Sequence, residues 1–280
     1  MITIFTIPKP FLRHINIIQR NAIKSWLRIL PKPEIILFGD EEGIDTVAKE
    51  FGILNIPKVE KNKFGTPVLN SVFDLVQKIA KNQILVYINT DIILMSDFIP
   101  AIKKVREHLF LLSGRRWDLE IKELIQFNDI NWEKNLWEKL EKRGKLHGFS
   151  GIDYFVFPRN LPHDLPSFAV GRPGWDNWLI YHIKSLKIPV IDATKVTTVI
   201  HQNHPSIYRP WDEESQKNFK LAGGFSQMLT LRDTDWILTP EGLKNPPFSR
   251  RISANLSSFW VWRKILSIKR GFQHILKHGK

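Results

Sequence analysis

The stretch that decides the fold is Gln83 to Leu94, "QILVYINTDIIL". Its first half is a continuous apolar run, the pattern of a strand covered on both faces. The triplet Asn89-Thr90-Asp91 interrupts it, and apolar sequence resumes at Ile92. In open parallel sheets, ligands gather beyond the carboxyl ends of the strands. A strand over 83–88 therefore puts Asp91 where the chain leaves the core and meets a ligand. The plainer alternative is that Asn and Asp close the strand through local side-chain–backbone hydrogen bonds.

The preceding residues set the context. Residues 2–7, "ITIFTI", read as a strand. Ile15, Ile18, Ala22, Trp26 and Ile29 then form one helical stripe, stopped by Pro31 and Pro33. "EIILFG" reads as a second strand, 44–51 as a short helix and 53–59 as a third apolar piece. Thr66 as N-cap and Pro67 at the first helical position predict a helix start, with Val68, Val72, Leu75, Val76 and Ile79 on its buried face. This alternation predicts an α/β fold: a mostly parallel, Rossmann-like sheet flanked by helices, followed by a C-terminal helical or irregular extension.

Beyond Leu94 the rhythm breaks. Residues 118–147 read as an excursion with one helix, Trp132, Leu136 and Leu140 spaced by four and Gly144 as its stop. "GIDYFVFP" resumes as a strand, "GWDNWLIYHIKSL" runs from loop into helix, and "IPVIDATKVTTVIHQNH" gives one or two strands ending in histidines. The simplest partition is one α/β domain over 1–205 with an appended basic extension over 206–280.

Composition narrows the classes. The chain of 280 residues has no cysteine, which removes disulfides, thiolate metal sites and cysteine nucleophiles and fits a reducing, cytoplasmic setting. The N-terminus has no signal-peptide pattern, and no apolar run is long enough to span a bilayer. A net charge of +13 favours polyanionic partners. After Glu241 no acidic residue remains, while Arg250, Arg251, Arg263, Lys264, Lys269, Arg270, Lys277 and Lys280 follow among apolar residues. That segment has the composition of an amphipathic piece lying peripherally on an anionic membrane surface, at its inner face. It also fits a docked helix with a solvated basic face.

"QILVYI" followed by "NTD", after some ninety residues of alternating β and α, resembles the nucleotide-binding half of GT-A glycosyltransferases and their Asp-x-Asp-type motif. "SGIDYFVFP", "GRPGWDNWLI" and "VIHQNH" then resemble, in order, the strand after the acceptor-side excursion, the helix-opening Trp-and-acid segment, and the late strand that supplies a histidine metal ligand. The resemblance covers roughly residues 1–205, implies a catalytic domain with 1–117 as its nucleotide-binding half and 118–205 as its acceptor half, and departs from the pattern at Asn89, where the family usually has an acid. It implies an enzyme that moves a sugar from a nucleotide-diphosphate sugar to the hydroxyl of a glycan or lipid-linked acceptor, with inversion. Asp91 and His201, with His204 as the alternative, would hold Mn2+ or Mg2+, and a histidine ligand favours Mn2+. Asp176 would be the general base, its position at a helix start keeping it ionised; otherwise it only caps the helix. Asp40, Asn89 and the backbone at Thr6 and Pro8 would meet the nucleotide, and Asp153 the sugar or acceptor. Trp175, Trp178 and Trp211 could stack on sugar or belong to the core.

Three other readings compete. A nucleic-acid-binding protein would explain the charge, but neither zinc ligands nor a repeated basic helix accompany it. A nucleotidyltransferase would carry a glycine-rich loop after the first strand, where this chain reads "IPKPFLRH". A GT-A-like protein that binds nucleotide sugar without turnover is the reading that Asn89 prompts.

Overall fold

A computed structural model describes residues 1–205 and 212–250. Trp211 and the basic segment 251–280, on which two of the expectations above fall, lie outside them. The first half runs β1 (Ile2–Thr6), α1 (Arg13–Leu27), β2 (Glu34–Phe38), α2 (Ile44–Phe51), β3 (Leu54–Ile56), α3 (Leu69–Ile79), β4 (Ile84–Ile88), β5 (Ile92–Leu94), α4 (Phe98–Ile102) and β6 (Leu111–Ser113). Then come β7 (Trp117–Leu119), α5 (Trp132–Arg143), β8 (Lys145–Leu146), β9 (Tyr154–Pro158), α6 (Trp175–Ser185), β10 (Val190–Asp192), β11 (Val199–Gln202), α7 (Glu213–Leu221), β12 (Trp236–Thr239) and β13 (Gly242–Lys244).

Nine strands form the central sheet in the order β13-β12-β10-β6-β9-β4-β1-β2-β3. The pairs β1–β2, β1–β4, β2–β3, β6–β10 and β10–β12 are parallel, while β9 runs antiparallel to β4 and β6, and β13 to β12. Alternate side chains feed two separate cores. Ile4, Ile35, Leu37 and Val86 pack with Trp26 of α1 and Val47 of α2. Phe5, Ile36, Leu85 and Tyr87 pack with Val72 of α3 and Leu179 of α6. Burial on both faces is why these strands read as unbroken apolar runs.

A second, four-stranded sheet has the order β5-β11-β7-β8. The excursion thus contains two short strands as well as α5, and α5 lays Leu136 and Leu140 on Ile93 and Ile200 of this sheet. Strands of two and three residues hold too few alternations to show in sequence. The sequence reading also lacks β12, of four residues, and β13, of three, which extend the central sheet into residues 236–244, beyond the boundary expected at 205.

The helix start expected at Thr66-Pro67 lies further on: α3 begins at Leu69 after Val68, with no side-chain cap. Val68 and Leu69 give their N–H groups to the carbonyls of Glu60 and Phe168 instead. Tertiary backbone partners satisfy the first turn, so a Thr cap is not needed.

The two sheets are fastened by buried polar groups. Gln202 Nε2 donates to the carbonyls of Ile18 and Asp91, and its Oε1 accepts from Asn21 Nδ2. Trp26 Nε1 donates to the Ile92 carbonyl and Ser25 Oγ accepts from Leu94 N. One polar edge of α1 therefore holds β5 and β11, the strands beside Asp91 and His201. Gln202→Ala would strand several buried partners, and an expected stability loss of about 1–3 kcal/mol should appear in equilibrium denaturant unfolding.

Candidate active site

The interruption after β4 is a tight turn whose three side chains go three ways. Asn89 N donates to the Asp153 carbonyl and Ile92 N to the Asn89 carbonyl. Thr90 is buried, its Oγ1 2.8 Å from Thr6 Oγ1. Asn89 Nδ2 donates to Asp153 Oδ1 at 2.8 Å, and Asp91 faces the histidines.

Asp91, His201 and His204 each offer one ligating atom, all within 4.8 Å of one another. His204 Nε2 lies 3.0 Å and His201 Nε2 3.9 Å from Asp91 Oδ2. Asp91 Oδ1 is buried with no hydrogen-bond partner. His204 is held between two oxygens, its Nδ1 2.9 Å from the Pro205 carbonyl and its Nε2 3.0 Å from Asp91 Oδ2. Burial opposes ionisation of Asp91, but the His204 hydrogen bond and the charges of His201 and Lys9 outweigh it and hold its carboxyl below the ordinary range. For His201, burial is the main effect, and it lowers the ring's pKa and favours the neutral, ligating form. Two imidazoles, one ionised carboxylate and an orphaned carboxylate oxygen fit a divalent cation with borderline preference for nitrogen.

A cavity of about 720 Å3 opens over this trio. Asn89, Asp91, Asp153, Asp176, His201 and His204 all line it, as do Pro8 and Trp175. Asp176 is the second residue of α6; the residue before that helix is Gly174, whose φ of +105° is open to glycine. That turn lets α6 start at the cavity wall. Asp176 does not cap the helix. Burial pushes its carboxyl up to about 6, the Asp153 charge adds to this, and backbone N–H groups at the helix start pull only partly the other way. The expectation that the helix start dominates is corrected: desolvation wins.

Three expected residues stand elsewhere. Asp40 is exposed and its Oδ1 pairs with Lys61 Nζ at 2.6 Å, while its neighbour Glu41 lines the cavity. Thr6 is buried under Thr90. Trp178 stacks on His182 with centroids 4.5 Å apart and tilts against Phe168, away from the cavity lining. Trp175 does both jobs, packing its edge on Tyr87 at 5.0 Å while exposing part of its ring to the cavity.

Lys9 and Arg116 are among the lining residues that escaped the sequence reading. Lys9 brings a cation to the cavity, its backbone N–H and carbonyl both clamped by the Gln19 amide at 2.8 Å. Arg116 donates to Asp153 Oδ2 at 2.8 Å and to Asp118 Oδ1 at 2.9 Å. No spacing rule links residues 9 and 19, or 116 and 153; only a signal such as a lysine between two prolines after a strand marked the first.

Asn89 now has a reason. An acid there would place a second carboxylate against Asp153. Asn89→Asp is expected to cost about 1–3 kcal/mol at neutral pH. The crowded pair would hold one carboxyl pKa above its unfolded value, so the loss should vanish as pH falls below that unfolded value. Urea titrations at two pH values check this.

A scan against protein-family models and a search of curated proteins find no match. Among solved structures, the mannosyltransferase PcManGT from Pyrobaculum calidifontis, in complex with GDP-Man and Mn2+, has a TM-score of 0.52 at 12% identity, covering 100% of this chain and 76% of that one. S. aureus TarS 1-349 in complex with UDP-GlcNAc has a TM-score of 0.50 at 10% identity, covering 79% and 65%. The fold is GT-A. GalNAc-T7 with UDP, GalNAc and Mn2+ has a TM-score of 0.46 at 14% identity, and this chain spans 48% of its length. At these identities the likeness is one of fold alone. Within the GT-A fold of this chain, the cavity lies where β4 ends, and Asp91 stands at its edge.

Proposed function

We propose that this chain is a divalent-metal-dependent glycosyltransferase that moves a sugar from a nucleoside diphosphate sugar to an acceptor hydroxyl with inversion. One observation carries the reading: a cation-fitting Asp/His/His trio and a buried carboxylate with a pKa of about 6 line the same cavity. A general base works best with a pKa near the operating pH.

Asp91, His201 and His204 would hold the cation, with Mn2+ favoured over Mg2+ by the two imidazoles. Bound there, it would supply the charge that stabilises a leaving diphosphate. Lys9 adds a cation for the phosphates, and Asn89 and Pro8 line the same wall. Asp176 takes the proton of the acceptor hydroxyl as that oxygen attacks the anomeric carbon. The bond from that carbon to the diphosphate oxygen breaks, and the nucleoside diphosphate leaves with the electron pair. Asp153, fixed by Asn89 and Arg116, is placed to receive hydrogen bonds from sugar or acceptor hydroxyls. The PcManGT and TarS complexes with nucleotide sugars support the donor class.

Among the described residues no helix is long and apolar enough to cross a membrane. The composition of residues 251–280 supports an anionic membrane surface as a further partner and a lipid-linked acceptor. The deciding experiment is a panel of UDP- and GDP-sugars assayed for hydrolysis and transfer with Mn2+ and with EDTA. Mn2+-dependent turnover of one donor is expected. Binding without turnover of any donor would leave the non-catalytic reading standing and remove this one.

A further inference from the structure

The trio leaves a neighbouring carboxylate to be explained. Asp118 on β7 faces the other nitrogen of the His201 ring: Nδ1 is 3.4 Å from Asp118 Oδ1, while Nε2 is 3.9 Å from Asp91 Oδ2. Strands β7 and β11 run parallel with Asp118 directly opposite His201, so backbone register sets the meeting. Asp118 is itself anchored. Arg116 Nε donates to its Oδ1 at 2.9 Å, and His147 Nδ1 lies 2.7 Å from its Oδ2. His201 Nδ1 is buried and makes no aligned hydrogen bond, so its 3.4 Å approach to Asp118 Oδ1 is the polar contact recorded for it.

A carboxylate only accepts, so a ring nitrogen bearing a proton is favoured opposite it and a lone pair is repelled. Two carboxylates compete for the one proton of a neutral His201. Asp118 is the nearer, and Asp91 Oδ2 is already engaged by His204. The proton is drawn to Nδ1, and the Nε2 lone pair is left facing Asp91 and His204. We propose that Asp118 is a positioning residue that fixes His201 in its Nδ1-protonated tautomer and so presents Nε2 to a divalent cation. The tautomer is a property of the metal-free chain; only the presentation to a cation rests on the reading given under Proposed function. A merely structural Asp118, serving as counter-ion to Arg116 and hydrogen-bond partner to His147, would fold the site without governing the ring's tautomer.

The experiment begins with 15N-histidine-labelled, metal-free protein at pH 8, above the ordinary histidine range of about 6.5. His201 signals are assigned by their loss in His201→Gln. An Nδ1-protonated ring is expected in the wild type, moving toward the Nε2-protonated form in Asp118→Asn. Titration with Mn2+, followed by its EPR signal, should then show binding weakened about 10–100-fold in Asp118→Asn, with partial recovery in Asp118→Glu. An Nε2-protonated His201 in the wild type overturns the inference even should Asp118→Asn fail to fold. An unchanged Mn2+ affinity in a folded Asp118→Asn overturns it equally. Wild-type protein that binds no Mn2+ defeats the cation reading instead, and the spectrum still decides the tautomer.

Discussion

Asp176→Asn is expected to lower sugar transfer about 10²–10⁴-fold, with Mn2+ and donor binding retained. The variant keeps the shape of the side chain and loses the proton acceptor. It also separates chemistry from folding. Because burial raises the folded-state pKa to about 6 from the ordinary 3.8, the wild type carries no penalty below the unfolded pKa. The penalty builds as pH rises through the folded pKa, and above it reaches on the order of 2–3 kcal/mol. Removing that buried charge should therefore leave the neutral-pH melting temperature unchanged or higher. The wild-type rate should fall as pH drops below about 6, an acid limb displaced from the ordinary carboxylate range. Equal turnover by wild type and Asp176→Asn would remove the carboxylate from the mechanism.

Asp91→Asn should have the second large effect, on binding. It discharges the only carboxylate of the trio and weakens the partner of His204. Mn2+ affinity should fall by more than about 100-fold, beyond the range that outer partners of a ligand command. Donor binding should lose its Mn2+ dependence in parallel. The turn itself should survive, because the Asp91 backbone carbonyl still accepts from Gln202 N and Nε2. Calorimetric titration of Mn2+ and of donor, with and without the metal, reads both quantities. Wild-type Mn2+ affinity in a folded Asp91→Asn would show that the trio is no metal site.

Sequence and structure agree where the physics is periodic. Five-residue strands buried on both faces, such as Ile84–Ile88, and helices with one apolar stripe, such as Arg13–Leu27, announce themselves because each residue repeats the same environment. Elements such as Lys145–Leu146 and Gly242–Lys244 exist only through their partners and are not legible in the sequence. Thr66 failed as a cap for a related reason: the N–H groups it would have satisfied were taken by carbonyls from Glu60 and Phe168.

The candidate site divides along the same line. Asp91, His201 and Asp176 were legible because each sits where an apolar run ends or a helix begins, and such junctions are local events in the chain. The sequence by itself determined the α/β alternation, the strand end at 88–91 and the charge asymmetry of the tail. Only the tertiary structure decided that Asn89 answers Asp153, that Asp40 turns to Lys61, that Trp178 belongs to the core, and that Asp118 faces His201. Those are pairings between segments tens of residues apart. They depend on strand register and on which neighbour removes water from a group, and neither is written in the order of residues along one segment.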